Sequence, residues 1–348
     1  MQYLNAAETS AVESAIPTFN KILKQCFKVK KEKLLIVSDL GEEGKRLALM
    51  LAYGHYLAAK KRKIEVELVI QNVKKGFMEA EPHVVRAIES LPSGSVILVN
   101  VSNKFGRFGG KKSFRKFCKD SGHRFGSASG LSGAQSSHFP IFIEAMNINY
   151  LRMQKTGLKI KKQMDKAKEI KITTELGTNL VANIEGMQAV ANVGAYSNAG
   201  DGGNVPAGEV YIAPKGIDNV NGIVVLDGSI RHESGTKLLN NKLIMHIENG
   251  KVIKLEGPQA HILESTFRKF EDRAKFPERI RLVAEIGVGI NPGAVLMGIA
   301  LMDEKAQGTA HIGIGSNSWF GGDIKTIFHG DMTFKNPKIL LDGKELIL

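Results

Sequence analysis

The feature that most constrains the fold is a change of texture near residue 170. Before it, apolar runs alternate with helical stretches. Lys33-Leu-Leu-Ile-Val-Ser38 reads as a buried strand ending in the turn Asp39-Leu40-Gly41, and residues 42–61 read as a helix rich in Leu and Ala. Residues 64–70 alternate like a strand, 83–91 read as a helix, and 95–100 as another buried strand. Strand, helix, strand, helix, strand is the pattern of an open α/β sheet. Residues 105–133, rich in Gly, Ser, Lys and Arg, read as a basic loop region with one short helix, and 140–168 as a charged helical stretch. After residue 170, short alternating segments recur between Gly, Asn and Asp turns, at 170–174, 180–184, 208–213, 222–226, 242–247 and 251–255. A helix is expected over 259–275. Strands follow at 281–290, 309–314 and 326–331, and a closing hairpin turns about Asp342-Gly343. The expected architecture is an α/β N-terminal domain over 1–169 and an α+β, mainly antiparallel β domain over 170–348.

Charge divides the chain at the same place. Residues 1–170 carry 30 Lys+Arg against 15 Asp+Glu, and residues 171–348 carry 18 against 20. A basic half is suited to nucleic acid, acidic peptides or a phosphate-bearing surface, or is a lysine-rich solvated face. Two cysteines, Cys26 and Cys118, exclude a disulfide framework and a cysteine-rich zinc site, and fit a reducing cytoplasm. No membrane-length apolar run and no basic-then-apolar leader is evident, so a cytoplasmic protein is expected.

Chemistry concentrates in the late strands. Alternation places residues i, i+2 and i+4 on one face. In Ala284–Ile290 the branched residues share one face, while Glu285, Gly287 and Gly289 share the other. In Thr309–Gly315, Ala310, Ile312 and Ile314 face a core, and His311 sits with Gly313 and Gly315. Glycine inside a strand marks close approach of a ligand or of backbone, so each strand presents one donor on a cleared face. His329 and Asp331 stand at i and i+2, and project together if that segment is extended. Glu209 opens a strand after Gly203-Asn204-Val205-Pro206-Ala207-Gly208, with Tyr211 on its face. Three carboxylates and two imidazoles, without thiolate, suit two divalent ions such as Zn, Co or Mn bridged by a carboxylate.

These blocks resemble those of the aminopeptidase T family of thermophilic metalloaminopeptidases. The resemblance rests on Gly203–Val210 with Ala213-Pro214, Ala284–Pro292, Asp303-Glu304-Lys305 with Gly308–Ile312, and His329-Gly330-Asp331, in that order. It covers residues 170–348, and implies a homodimeric aminopeptidase that releases N-terminal amino acids from peptides with two metal ions. It places the metal ligands at Glu209, Glu285, His311, His329 and Asp331. In that chemistry a metal pair activates a shared water, Glu285 bridges or acts as base, and Lys305 or Tyr211 stabilises the oxyanion. Residues 303–305 read equally well as a solvated charged turn. The family's tyrosine after its first histidine has no counterpart in Ser316-Asn317-Ser318-Trp319-Phe320. A second expectation is a catalytically altered member that binds nucleic acid or an acidic partner through Lys104–Arg115, where basic and aromatic residues interleave. A nucleotide-binding enzyme is disfavoured, because Asp39–Lys45 lacks the phosphate-loop glycine spacing.

Overall fold

The computed structural model describes residues 3–108 and 113–346. The chain divides into two compact units, one of the residues up to Leu151 with Gly194–Ala207, the other of Arg152–Val193 with Gly208 onward.

The first unit is built on a parallel sheet. Leu34–Asp39 lies between Val66–Gln71 and Val96–Asn100, and the order continues through Arg124–Ala128 to Gly202–Asn204, every neighbour parallel. Continuous apolar runs are what a parallel strand needs when both its faces are covered. Leu34–Asp39 and Val96–Asn100 are accordingly buried along their whole length. The helix Leu47–Lys61 buries most of its residues. Phe19 packs against it where Gly54 leaves room, since a Cβ there would sit 2.1 Å from the Phe19 ring. Two helices that the sequence reading did not anticipate, Ala6–Ser14 and Ile16–Gln25, precede the first strand. The segment read as a basic loop contains the helix Phe114–Asp120 and the strand Arg124–Ala128. Its phenylalanines Phe105, Phe108 and Phe114 pack against one another and against Phe117 and Phe125, with ring centroids 4.9 to 6.4 Å apart. Gly109–Lys112 of the basic and aromatic stretch lie outside the described residues. The expected 140–168 helix is two helices, Phe139–Met146 and Tyr150–Met164.

The second unit is mainly antiparallel. A seven-stranded sheet runs Lys251–Glu256, Leu243–Glu248, Val220–Leu226, Asn179–Asn183, Glu169–Thr173, Lys338–Leu341, Lys344–Glu345. A five-stranded sheet runs His329–Lys335, Thr309–Gly315, Val283–Gly289, Glu209–Ile212, Val190–Asn192. The helix Ala260–Glu271 is pinned by Arg281, whose guanidinium forks onto Glu264 (2.8 and 2.9 Å) and Glu271 (2.6 and 3.1 Å). The α/β first half and mainly antiparallel second half agree with the sequence reading. The strand expected over 326–331 differs in its bounds, beginning at His329 and continuing to Lys335. Among the described residues no helix is long and apolar enough to cross a membrane.

Candidate metal centre

The five-stranded sheet carries the donors, and its pairing explains its glycines. Glu285 lies opposite Gly313, His311 opposite Gly287, and Glu209 opposite Gly289. Asp331 also lies opposite Gly313, and His329 opposite Gly315. Every expected ligand therefore faces a residue without a side chain. The room is needed. A Cβ at Gly287 would sit 2.0 Å from His311 Nε2, and one at Gly313 would sit 2.7 Å from Glu285 Cβ and 3.0 Å from Asp331 Oδ1. Because His329–Lys335 is extended, His329 and Asp331 do share a face.

The donors converge in two overlapping groups, Glu209 with Glu285 and His311, and Glu285 with His329 and Asp331, each with its ligand atoms within 4.8 Å of one another. His311 Nε2 is 3.2 Å from Glu285 Oε1 and 3.8 Å from Glu209 Oε2. His329 Nε2 is 3.3 Å from Asp331 Oδ1 and 3.8 Å from Glu285 Oε2. His329 Nδ1 donates to the Ser316 carbonyl at 2.8 Å, which leaves the Nε2 lone pair turned toward the carboxylates. A ligating histidine is commonly oriented in this way. Asp331 Oδ1 is buried without a hydrogen-bond partner. A buried carboxylate oxygen left over beside an imidazole nitrogen of matching polarity is what a cation would satisfy, and the donor set fits a divalent metal.

Electrostatics point the same way. Burial opposes charge on His311, but its hydrogen bond with Glu285 and the nearby Asp331 and Glu209 outweigh it and push its pKa up to about 9. For His329, burial is outweighed by Asp331 and Glu285, and its pKa is pushed up to about 10. Burial raises the Glu285 carboxyl, partly countered by His311. Asp331 stays below its usual value, because the two imidazoles overcome its burial. The protein thus gathers more negative charge here than it balances with fixed cations, and protons on the imidazoles stand where a metal ion would.

Residues 303–305 are no solvated turn. Asp303 and Lys305 are completely buried. Asp303 Oδ1 accepts from the backbone N–H of Met297 (2.7 Å) and of Gly298 (3.2 Å). Lys305 Nζ donates to Glu209 Oε1 at 3.1 Å and to Glu304 Oε1. Burial works against this ammonium, but Glu209 and Glu304 hold it protonated. Asn192 Nδ2 also donates to Glu209 Oε1, at 2.8 Å. Glu304, Asn192 and the Lys305–Glu209 pair were not singled out as a unit in the sequence, where only proximity in the fold joins them. Tyr211 lies buried on the Glu209 strand, its ring edge-on to Phe320 at 5.1 Å. Trp319, the chain's single tryptophan, is half-exposed with its ring 4.8 Å from His329.

A sheet face with cleared donors and an excess of carboxylates over fixed cations marks a candidate metal centre. The model of the 2,5-dihydroxypyridine 5,6-dioxygenase family, NicX, matches residues 149–348, and the chain belongs to that family. A 2,5-dihydroxypyridine 5,6-dioxygenase from Pseudomonas putida is 25% identical over 195 residues, 53% of this chain and 54% of that protein. The match therefore spans about half the length of that relative. Among solved structures, the 2,5-dihydroxypyridine dioxygenase of Pseudomonas putida KT2440 superposes with a TM-score of 0.75 at 17% identity, covering 97% of this chain and 96% of that one. Wild-type AmpT from Thermus thermophilus superposes with a TM-score of 0.63 at 12% identity, covering 96% and 99%. Such low identities show a common fold. The expected aminopeptidase activity is overturned by the family match, and the hydrolase and protease reading falls with it. The physical reason is that one donor set serves hydrolytic and redox metal chemistry alike, so the ligands alone do not choose between them.

Proposed function

We propose that the second unit is a single-metal, ring-cleaving dioxygenase centre acting on a dihydroxylated aromatic ring of the 2,5-dihydroxypyridine type. The observation that carries the single ion is Lys305. Its ammonium already sits on Glu209 Oε1, which also accepts from Asn192, so that oxygen is saturated by protein donors. The other group keeps its unsatisfied oxygen on Asp331. Glu285, His329 and Asp331 are the group that remains, with His311 on Glu285 at 3.2 Å, and a set of imidazole and carboxylates with so few protein ligands would leave coordination positions open on a divalent ion. A ferrous ion held there would supply redox chemistry toward dioxygen and Lewis acidity toward a ring oxygen.

The chain's own residues do the rest. The Ser316 carbonyl fixes the tautomer of His329. Glu304, pushed well above the usual carboxylate range by burial despite Lys305, holds a proton next to Asp331. Trp319 and Phe320 stand edge-on to each other at 5.3 Å and offer an aromatic wall for a planar ring. Tyr211, on the Glu209 strand, extends that wall through Phe320. The test is to load the protein anaerobically with ferrous iron, add 2,5-dihydroxypyridine, admit air, and follow oxygen uptake with loss of the ring absorbance. One dioxygen consumed per ring opened is expected. An iron-loaded protein that leaves the ring intact would refute the activity.

A further inference from the structure

Residues 316–324 leave the strand of His311 and lead back toward the strand of His329, and they fold around the side chain of Asn317. That amide is completely buried. Its Oδ1 accepts from the Ile324 backbone N–H at 2.8 Å, and its Nδ2 donates to the Ala284 carbonyl at 3.0 Å. The backbone of Asn317 closes the loop as well. Its N–H donates to the Ile324 carbonyl at 2.9 Å, and its carbonyl accepts from the N–H of Phe320 (3.1 Å) and of Gly322 (3.2 Å). Gly322 lies directly over the amide, since a Cβ there would sit 2.1 Å from Asn317 Cγ.

Both ends of this arrangement bear on the metal donors. Pairing between the strands Val283–Gly289 and Thr309–Gly315 shifts register between Val283 and Glu285, so Ala284 has no counterpart on the neighbouring strand. A bulge of this kind bends its strand and re-aims the adjacent side chain, which here is Glu285. The carbonyl that Asn317 holds is the one on that bulged residue. At the other end, the Ser316 carbonyl next to Asn317 accepts from His329 Nδ1 at 2.8 Å, and Trp319 stands edge-on to the His329 ring at 4.8 Å. We infer that Asn317 is a positioning residue of the metal centre. Its one amide ties the bulge under Glu285 to the loop that carries the Ser316 carbonyl and Trp319, and so sets how far Glu285 stands from His329 and where the aromatic wall sits. The part that concerns the wall rests on the oxygenase reading, and the part that concerns the ligands does not.

Asn317→Ala keeps every proposed ligand and removes both side-chain bonds. Anaerobic titration of the metal-free protein with ferrous iron by calorimetry should show an affinity about tenfold weaker, the lower end of what losing a hydrogen bond behind a ligand costs. Trp319 gives a local readout without metal, because the chain has no other tryptophan. Its ring is 49% exposed, so a loop set free should roughly double the collisional quenching of its fluorescence by acrylamide. Gly322→Ala keeps the amide but displaces it, should move both readouts the same way, and serves where Asn317→Ala does not fold. Ile22→Ala, in the fully buried core of the first unit, should lower stability and move neither. A folded Asn317→Ala or Gly322→Ala protein with wild-type metal affinity or wild-type quenching overturns the positioning role, and so does an equal change in Ile22→Ala. Neither readout uses dioxygen or a ring, so an iron-loaded protein that leaves the ring intact refutes the oxygenase activity without touching this assignment.

Discussion

Lys305→Met removes the one fixed cation from the buried cluster while keeping a side chain of similar length. It leaves Glu209 and Glu304 without the ammonium that both now contact. Breaking one side of a buried pair costs about 3–5 kcal/mol, because the remaining charge stays desolvated. Asn192 still donates to Glu209, and Glu304 can keep its proton, so the lower end of that range is expected. The variant should also acquire a second metal dependence, beyond that of the single wild-type site. Glu209, Glu285 and His311 already have ligand atoms within 4.8 Å of one another, and with Nζ gone the Glu209 carboxylate there loses its fixed cation. An ion at a hundred times its dissociation constant would return about 2.7 kcal/mol. The assay is urea denaturation in chelator and in excess divalent metal, paired with elemental analysis of the dialysed protein. One ion per wild-type chain and two per variant chain are expected, with metal restoring most of the lost stability in the variant. A variant that still binds one ion, with a stability loss that metal does not touch, would refute the view that Lys305 occupies a cation position.

Two further perturbations probe the packing behind the site and the other unit. Gly287→Ala places a methyl 2.0 Å from where His311 Nε2 now sits, so the imidazole must move. A loss of about 1–3 kcal/mol from overpacking is expected, with metal affinity at least about tenfold weaker by titration. In the first unit, His55 is completely buried edge-on to Phe19 at 4.7 Å, and its Nδ1 has no partner. Burial lowers its pKa from 6.5 to about 3, so the unfolded chain takes up a proton on this residue before the folded one does. Stability from the neutral imidazole is therefore complete above about pH 6.5 and is lost as pH falls toward 3, by about 1.4 kcal/mol per pH unit at most. His55→Phe should flatten that limb of a stability-versus-pH curve, and an unchanged slope between pH 6 and 4 would contradict this account.

What the sequence could reveal depended on which interactions are local. The alternation of Glu285 and His311 with glycines is a property of single strands, and it located both residues and the sheet they share. His329 and Asp331 needed only the extended conformation, which the strand His329–Lys335 supplies. Lys305 was named as an oxyanion stabiliser, but its burial was not legible, because its neighbours Asp303 and Glu304 make a charged triplet, and charged triplets are usually solvated. Its burial comes from chain return, with Asn291 N–H donating to the Lys305 carbonyl at 2.8 Å, and with Gly289 so close that a Cβ there would sit 2.8 Å from the Lys305 carbonyl carbon. Pairing with Glu209, nearly a hundred positions away, follows only from that return. The first helix was missed because Ala6–Ser14 buries only Glu8 and Val12 and so carries no apolar stripe. The strand Arg124–Ala128 was missed because Gly126 and Ser127 give it little strand character. Gly126 is there for packing, since a Cβ would lie 2.6 Å from the Phe27 ring.

The charge balance of the cluster explains why the same ligand face need not mean the same chemistry. Burial keeps a proton on Glu304, which leaves Glu209, Glu285 and Asp331 as the carboxylates offered to Lys305 and to a bound ion. Lys305 balances one of them, and a single divalent ion with neutral imidazoles balances the other two. The buried site is then neutral. A second divalent ion beside Lys305 would leave it with two uncompensated positive charges next to Glu209, Glu285, His311 and Lys305, which are buried. Such an excess costs several kcal/mol per ion in a low-dielectric setting. On the single-ion proposal the Lys305–Glu209 pair is the selector: while it stands, the arrangement would favour one ion with open coordination positions, which suits dioxygen and a ring oxygen meeting at one centre. Without it, the same strands would offer a carboxylate-bridged pair, which suits activation of a shared water. In this proposal the ligands set where a metal goes, and the lysine beside them sets how many.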